Sequence, residues 1–144
     1  MSDVEPEYAD LDTSKYAPLG VYLMVHDGQA ALDFYRRAFA AEIGDTYPHE
    51  GKLGHAELKI NGGEVMLSDE FPVDVSGGVS SPQALGGTTM TVSLAVDDAD
   101  AWFERAVAAG AEVMRPLSDQ FYGRSGKLRD PFGHTWGILG PKKA

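Results

Sequence analysis

The sequence contains no cysteine, which removes a disulfide framework, a thiolate metal site and a thiol nucleophile together. It has no apolar run approaching the length of a membrane span. Its first ten residues, Met-Ser-Asp-Val-Glu-Pro-Glu-Tyr-Ala-Asp, are acidic and polar, the reverse of a secretory signal. Basic residues are scarce: 12 Lys and Arg stand against 22 Asp and Glu, a formal net charge of −10. A phosphate backbone needs clustered cations, so nucleic acid is an unsuitable partner. These absences point to a cytoplasmic protein that meets neither nucleic acid nor membrane. The acidity suits a cationic ligand, or serves solubility alone. Asp3, Glu5, Glu7, Asp10 and Asp12 carry part of it in a tail, away from any pocket.

With those classes set aside, the 144 residues read as two small modules sharing one core. Residues 1–17 form an acidic, flexible arm with little apolar periodicity. A first strand follows, with Val21, Leu23 and Val25 on one side and Gly20, Tyr22, Met24 and His26 on the other. Asp27 caps a helix running to about Phe39, whose buried stripe is Ala31, Phe34, Tyr35 and Ala38. A second strand occupies 41–45, and a loop runs on through Pro48 and Gly51. His55–Ile60 alternates, with Ala56, Leu58 and Ile60 opposed to His55, Glu57 and Lys59. Asn61-Gly62 is a hairpin turn, and the chain returns through Val65 and Leu67 with Met66 and Ser68 opposite.

Residues 70–88, rich in Gly, Ser and Pro, read as a linker, because 89–140 repeats 18–69. Val21-Tyr-Leu-Met-Val-His-Asp matches Val92-Ser-Leu-Ala-Val-Asp-Asp, and Ala40-Ala-Glu-Ile matches Gly110-Ala-Glu-Val, at an offset of roughly 70 residues. Asp98 caps the second helix, with Phe103, Ala106 and Val107 inward, and Gly110 ends it. Asp130-Pro131-Phe132-Gly133 closes a hairpin between the stretches 127–129 and 135–139, and alternation puts Trp136 and Ile138 on the helix side. Upstream of that turn, Phe121-Tyr122-Gly123-Arg124 has the composition of a ligand rim. The fold class is α+β: paired βαβββ modules forming a curved, eight-stranded cleft.

Residues 18–140 resemble the vicinal oxygen chelate superfamily of glyoxalases, bleomycin-resistance proteins and dioxygenases. The PhnB-like branch is similar in Ala31-Leu-Asp-Phe-Tyr-Arg-Arg-Ala-Phe39, His55-Ala-Glu-Leu58, Met66-Leu-Ser-Asp69, and Asp119-Gln-Phe-Tyr-Gly123 through Asp130-Pro-Phe-Gly-His-Thr-Trp136. The resemblance implies metal-ligand positions on the first and fourth strand of each module, which here are Gly20, Met66, Thr91 and Gly137. None of these is a good divalent-metal ligand. A divalent metal remains an alternative through His26, His55 and Glu57, with His134 nearby, if they converge; otherwise no cofactor is expected.

The resemblance to bleomycin-resistance proteins implies a homodimer that sequesters a small molecule without metal, and the rings of Tyr22 and Tyr122 suit a planar or cationic one. Ligand contacts are expected from Tyr22, His55, Glu57, Met66, Ser68, Thr91, Ser93, Phe121, Tyr122 and Arg124, with the rim facing Tyr22, His55 and Glu57 across the cleft. The alternative is a glyoxalase-like lyase or isomerase, or a dioxygenase. His55 and Glu57, the catalytic candidates, would then carry acid/base chemistry. The fold hosts many activities, so the site must decide.

Overall fold

The computed structural model describes residues 12–143. The expected arm over 1–11 lies outside the described residues. The first module comprises β1 (Val21–Val25), α1 (Gly28–Phe39), β2 (Glu42–His49), β3 (Lys52–Ile60) and β4 (Gly63–Asp69). The second repeats that order as β5 (Thr91–Ala95), α4 (Ala99–Ala109), β6 (Glu112–Gln120), β7 (Gly123–Arg129) and β8 (Thr135–Gly140). Each forms its own four-stranded sheet, ordered β1-β4-β3-β2 and β5-β8-β7-β6, with the first and fourth strands parallel. The α+β class and the two copies of βαβββ agree with the sequence pattern.

Local chemistry sets the boundaries. Asp27 and Asp98 have extended backbones, and their carboxylates accept from Ala30 N and Ala101 N at 3.1 Å, capping α1 and α4. Asn61 and Gly62 both have positive φ (53° and 80°), as a two-residue hairpin turn requires. The stripe Ala31, Phe34, Tyr35 and Ala38 is buried as its spacing demands. In α4 Phe103 and Ala106 are buried, but Val107 is 38% exposed. It stands on the flank of the stripe rather than inside it. Gly126 matters by what it lacks: a Cβ there would meet Phe103 Cε2 at 2.8 Å, so α4 lies hard against β7.

Three segments differ from expectation. The second strand does not stop at residue 45; β2 runs to His49 through Pro48. It is an edge strand with register shifts on either side of Thr46–Tyr47, and an edge tolerates a proline that has no N–H to give. The connection after β4 carries two short helices, α2 (Val73–Ser76) and α3 (Pro82–Leu85). It is pinned where Glu70 Oε2 accepts from Ser81 N at 3.0 Å and the fully buried Ser81 caps α3. That bond holds the Glu70 carboxyl below its ordinary range. The third segment is 12–17, a strap attached to the first sheet rather than loose chain.

Both sheets turn one face towards a single core. Leu23, Leu58 and Leu67 come from the first sheet, Leu128, Trp136 and Ile138 from the second, and all are buried. Trp136, fully buried as alternation predicts, packs on Tyr35 (5.5 Å between centroids) and Phe39 (4.7 Å) of α1. Helices α1 and α4 pack against one another inside this shared layer. The polar faces of the sheets therefore lie on the outside of the core and do not confront each other. No described helix is long and apolar enough to cross a membrane.

Candidate functional site

The chemistry gathers on the outer face of the first sheet. Parallel pairing sets Tyr22 beside Met66, and antiparallel pairing sets Met66 beside Glu57 and Tyr47 beside His55. Alternation then puts the side chains of Tyr22, Tyr47, His55, Glu57 and Met66 on one surface. They form a hydrogen-bonded row. Tyr22 OH lies 2.9 Å from His55 Nδ1, His55 Nε2 lies 3.2 Å from Glu57 Oε2, and Tyr16 OH donates to the same Oε2 at 2.7 Å. An ionised Glu57 accepts from both Tyr16 O–H and His55 Nε2–H, leaving Nδ1 to accept from Tyr22; these proton positions are assigned from donor–acceptor bookkeeping. The Tyr47 ring stacks on His55 at 5.9 Å.

The row keeps its phenols protonated. The Tyr16 hydroxyl, bonded to the Glu57 carboxylate, has its pKa pushed up to about 12. Burial raises Tyr22. Desolvation first, then Asp45 and Glu57, raises Tyr47. Glu57→Gln removes the charge that suppresses Tyr16 ionisation. Ultraviolet titration of the phenolate should therefore show one tyrosine moving down from about 12 towards the ordinary 10.0. Beside the row lies a cavity of about 340 Å³, walled by Tyr16, Tyr47, Pro48, His49, Gly54, His55, Phe71 and Val75. That volume is in the range of small-molecule pockets. A larger hollow of about 640 Å³, between Pro82–Thr88 and the bases of β7 and β8, holds Arg129 paired to Glu112 at 3.3 Å.

The other expected contacts separate into groups. Met66 lies across Gly20, where a Cβ would meet its methyl at 3.0 Å. Ser68 is buried, its hydroxyl spent on Asp69 O at 2.9 Å and lying 3.2 Å from Met24 Sδ. Thr91 and Ser93 are exposed on the outer face of the second sheet. Phe121 and Tyr122 form the β6–β7 turn, 91% and 52% exposed, edge to face at 5.1 Å. The Tyr122 hydroxyl has its pKa lowered, first by its hydrogen bond with Ser125 and then by the Arg115 charge.

Arg124 is placed differently from expectation. Its side chain falls on the helix side of β7 and grips Asp100 through Nε (2.9 Å) and Nη2 (3.0 Å), with Nη1 at 3.3 Å from Asp119. It latches β7 to the start of α4. Among the described residues no hydrogen bond, ring contact or cavity joins Tyr22, His55 or Glu57 to Phe121, Tyr122 or Arg124. The rim and the row are not brought together within one chain.

The latch predicts an acid-dependent effect. Hydrogen bonds from Arg124 hold the Asp100 carboxyl below 3.8. A depressed folded value gives stability that is present above the unfolded value and lost as pH falls through the folded one. The urea midpoints of wild type and Arg124→Met should differ at neutral pH and converge below pH 3.8.

The donor set does not fit a metal. The four positions implied by the resemblance hold Gly20, Met66, Thr91 and Gly137, and Lys127 stands across the ladder from Gly137. The second possible set also disperses: the His26 ring packs on Phe132 at 5.4 Å, and His134 Nε2 lies 2.9 Å from Met24 O. Among the described residues no three His, Asp or Glu side chains are grouped to hold an ion.

Sequence reasoning missed Tyr16, Tyr47 and Phe71. Tyr16 was hidden by the polar composition of the arm. Tyr47 falls in a stretch that reads as loop, and even a regular hairpin about Glu50-Gly51 would set it opposite Gly54; the register shift between Tyr47 and Pro48 brings it opposite His55. Phe71 had no periodic signal.

The sequence model of the "Glyoxalase/Bleomycin resistance protein/Dioxygenase superfamily" matches residues 17–138. An uncharacterised protein of Mycobacterium bovis is 47% identical over 125 residues, covering 85% of this chain and 82% of the relative. The crystal structure of TioX from Micromonospora sp. ML1 superposes with a TM-score of 0.67 at 30% identity, over 89% of this chain and 98% of TioX. The fosfomycin resistance protein FosX of Listeria monocytogenes, solved with Mn(II) and sulfate, shares the fold at a TM-score of 0.65 and 18% identity, over 88% and 91% of the two chains.

Proposed function

Because the chain belongs to the glyoxalase/bleomycin resistance protein/dioxygenase superfamily, yet has glycine, methionine and threonine at its implied metal positions, we propose that it is a metal-independent small-molecule binding protein. Its ligand lies on the outer face of the first sheet, against the row Tyr22–His55–Glu57. The observation that carries this is the row itself beside an aromatic-walled cavity. Rings supply flat apolar contact, and Glu57 and His55 supply directed hydrogen bonds, the usual division of labour in a ligand pocket.

The working unit is a homodimer. Each sheet offers half a cleft, and a second copy brings its β5–β8 face, with Thr91, Ser93 and Tyr122, over the β1–β4 face of the first. The charges suit that pairing. Glu42, Glu57 and Glu64 outnumber Lys59 on one face, and Arg115, Lys127 and Arg129 outnumber Glu112 on the other. Aromatic residues left exposed, Tyr22 at 46% and Phe121 at 91%, would be covered.

The test is tyrosine and tryptophan fluorescence across a library of planar compounds, followed by His55→Ala and Glu57→Gln. Saturable quenching that both variants weaken at least about tenfold, or 1.4 kcal/mol, supports the reading. Quenching that both variants retain in full overturns it. A second reading rests on the 3.2 Å His55–Glu57 contact: the pair moves a proton alpha to a carbonyl. Deuterium exchange into a bound ketone that Glu57→Gln abolishes would favour that enzyme.

A further inference from the structure

Tyr16 reaches Glu57 from a segment with little else to hold it. The turn Thr13–Lys15 has no buried residue. The strap is tied down by Lys15–Asp45 at 3.5 Å between half-exposed side chains, Ala17 N donating to Glu64 Oε2 at 2.7 Å, and the Tyr16–Glu57 bond at 2.7 Å. An exposed ion pair of that kind contributes little, and a segment without buried apolar contacts opens at low cost.

The anchor is also the site. Tyr16 OH occupies the same Glu57 oxygen that His55 Nε2 faces, and its ring forms one wall of the aromatic cavity. Three carboxylates, Asp45, Glu57 and Glu64, receive the strap. The cations near them are Lys15, which is part of the strap, Lys59, which stands across the ladder from Glu64, and Lys52, which sits 5.4 Å over the Phe71 ring and binds Glu70 O, so without the strap three carboxylates face two lysines. Lifting the strap therefore bares a carboxylate next to flat rings, with a local excess of negative charge.

We propose that Tyr16 is a tethered stand-in for the ligand: it holds Glu57 in the free protein, and a planar organic cation displaces it. The incoming cation takes over Glu57 by a charge-assisted hydrogen bond, and its flat body rests against Tyr47, His55 and Phe71. The strap is then a latch that sets both affinity and charge preference. This rests on the binding reading above and adds the ligand's charge and its competitor.

Isotope-edited NMR titrations with benzamidine and its neutral counterpart benzamide test it, in wild type, Tyr16→Phe and Glu57→Gln. Benzamidine should shift His55 and Tyr47 and lower the exchange protection of the Tyr16 and Ala17 amides, with benzamide weaker by about tenfold or more. Tyr16→Phe keeps the ring but removes the competing bond to a charged acceptor, and should tighten benzamidine about tenfold. Glu57→Gln should erase the preference for the cation.

Weaker or unchanged benzamidine binding by Tyr16→Phe, rising protection of the strap on binding, or equal affinity for the two probes would each overturn the latch. Library compounds that bind this face without moving the strap would defeat the latch and leave the binding reading intact. Benzamidine binding seen in Tyr16→Phe and not in wild type would support both. No binding by either probe or the library, in either protein, would overturn both.

Discussion

Asp130→Ala is expected to lower stability by about 4 kcal/mol or more, the size of loss reserved for a broken buried network. Asp130 is almost fully buried, and four groups donate to it: Tyr35 O–H, Trp136 Nε1–H at 2.8 Å, and the Phe132 and His134 amides, each at 2.9 Å. One carboxylate thus fixes the β7–β8 turn, orients the indole at the centre of the core, and joins it to α1 of the other module. Burial, then the Asp130 charge, drives the Tyr35 ionisation far above its normal range, so the phenol remains a donor. Removing the carboxylate strands buried donors at about 1–3 kcal/mol each. Asp130→Asn keeps the shape but turns an N–H towards other donors, and should be milder yet still clearly destabilising. Urea unfolding of the two variants beside Tyr35→Phe would give the order Ala, Asn, Phe from worst to mildest. An Asp130→Ala loss below about 1 kcal/mol would mean that the network contributes little.

The second large effect concerns assembly. If the cleft needs both sheet faces and takes them from different copies, Glu57→Gln and Ser93→Trp each spoil every cleft of their own dimer. Mixed by joint unfolding and refolding, half of the dimers pair the two variants, and each such dimer has one intact cleft and one doubly altered. Binding should return to about a quarter of all sites at wild-type affinity, from two preparations that each bind weakly. A site built within one chain predicts otherwise. Ser93→Trp would then bind fully alone, and mixing would restore nothing beyond its own share.

Much of this was legible because it is local. The 3.6 and 2.0 periods of α1 and β3, the Asp27 and Asp98 caps and the Asn61-Gly62 turn depend on neighbouring residues, and so does the inward aim of Trp136. The repeat followed from the same patterns occurring twice. The arrangement of the two modules was not legible. Whether open faces meet in one chain or across two depends on α1 packing against α4, and no periodicity reports that. Arg124 reads from sequence as a rim cation, since only the fold brings Asp100 to it. The site shows the same division. His55 and Glu57 were visible as alternating polar residues in an apolar strand. Tyr16 and Tyr47 join them through a strap and an edge strand whose composition resembles loop.

The most direct measurement is a two-dimensional NMR titration of the labelled 144-residue chain with a planar compound found by fluorescence. Capture on the first sheet predicts saturable shifts concentrated at Tyr22, Tyr47, His55 and Glu57, lost in Glu57→Gln and unchanged when metal is stripped with chelator. Shifts confined to other surfaces, or binding that vanishes with the chelator, would contradict it.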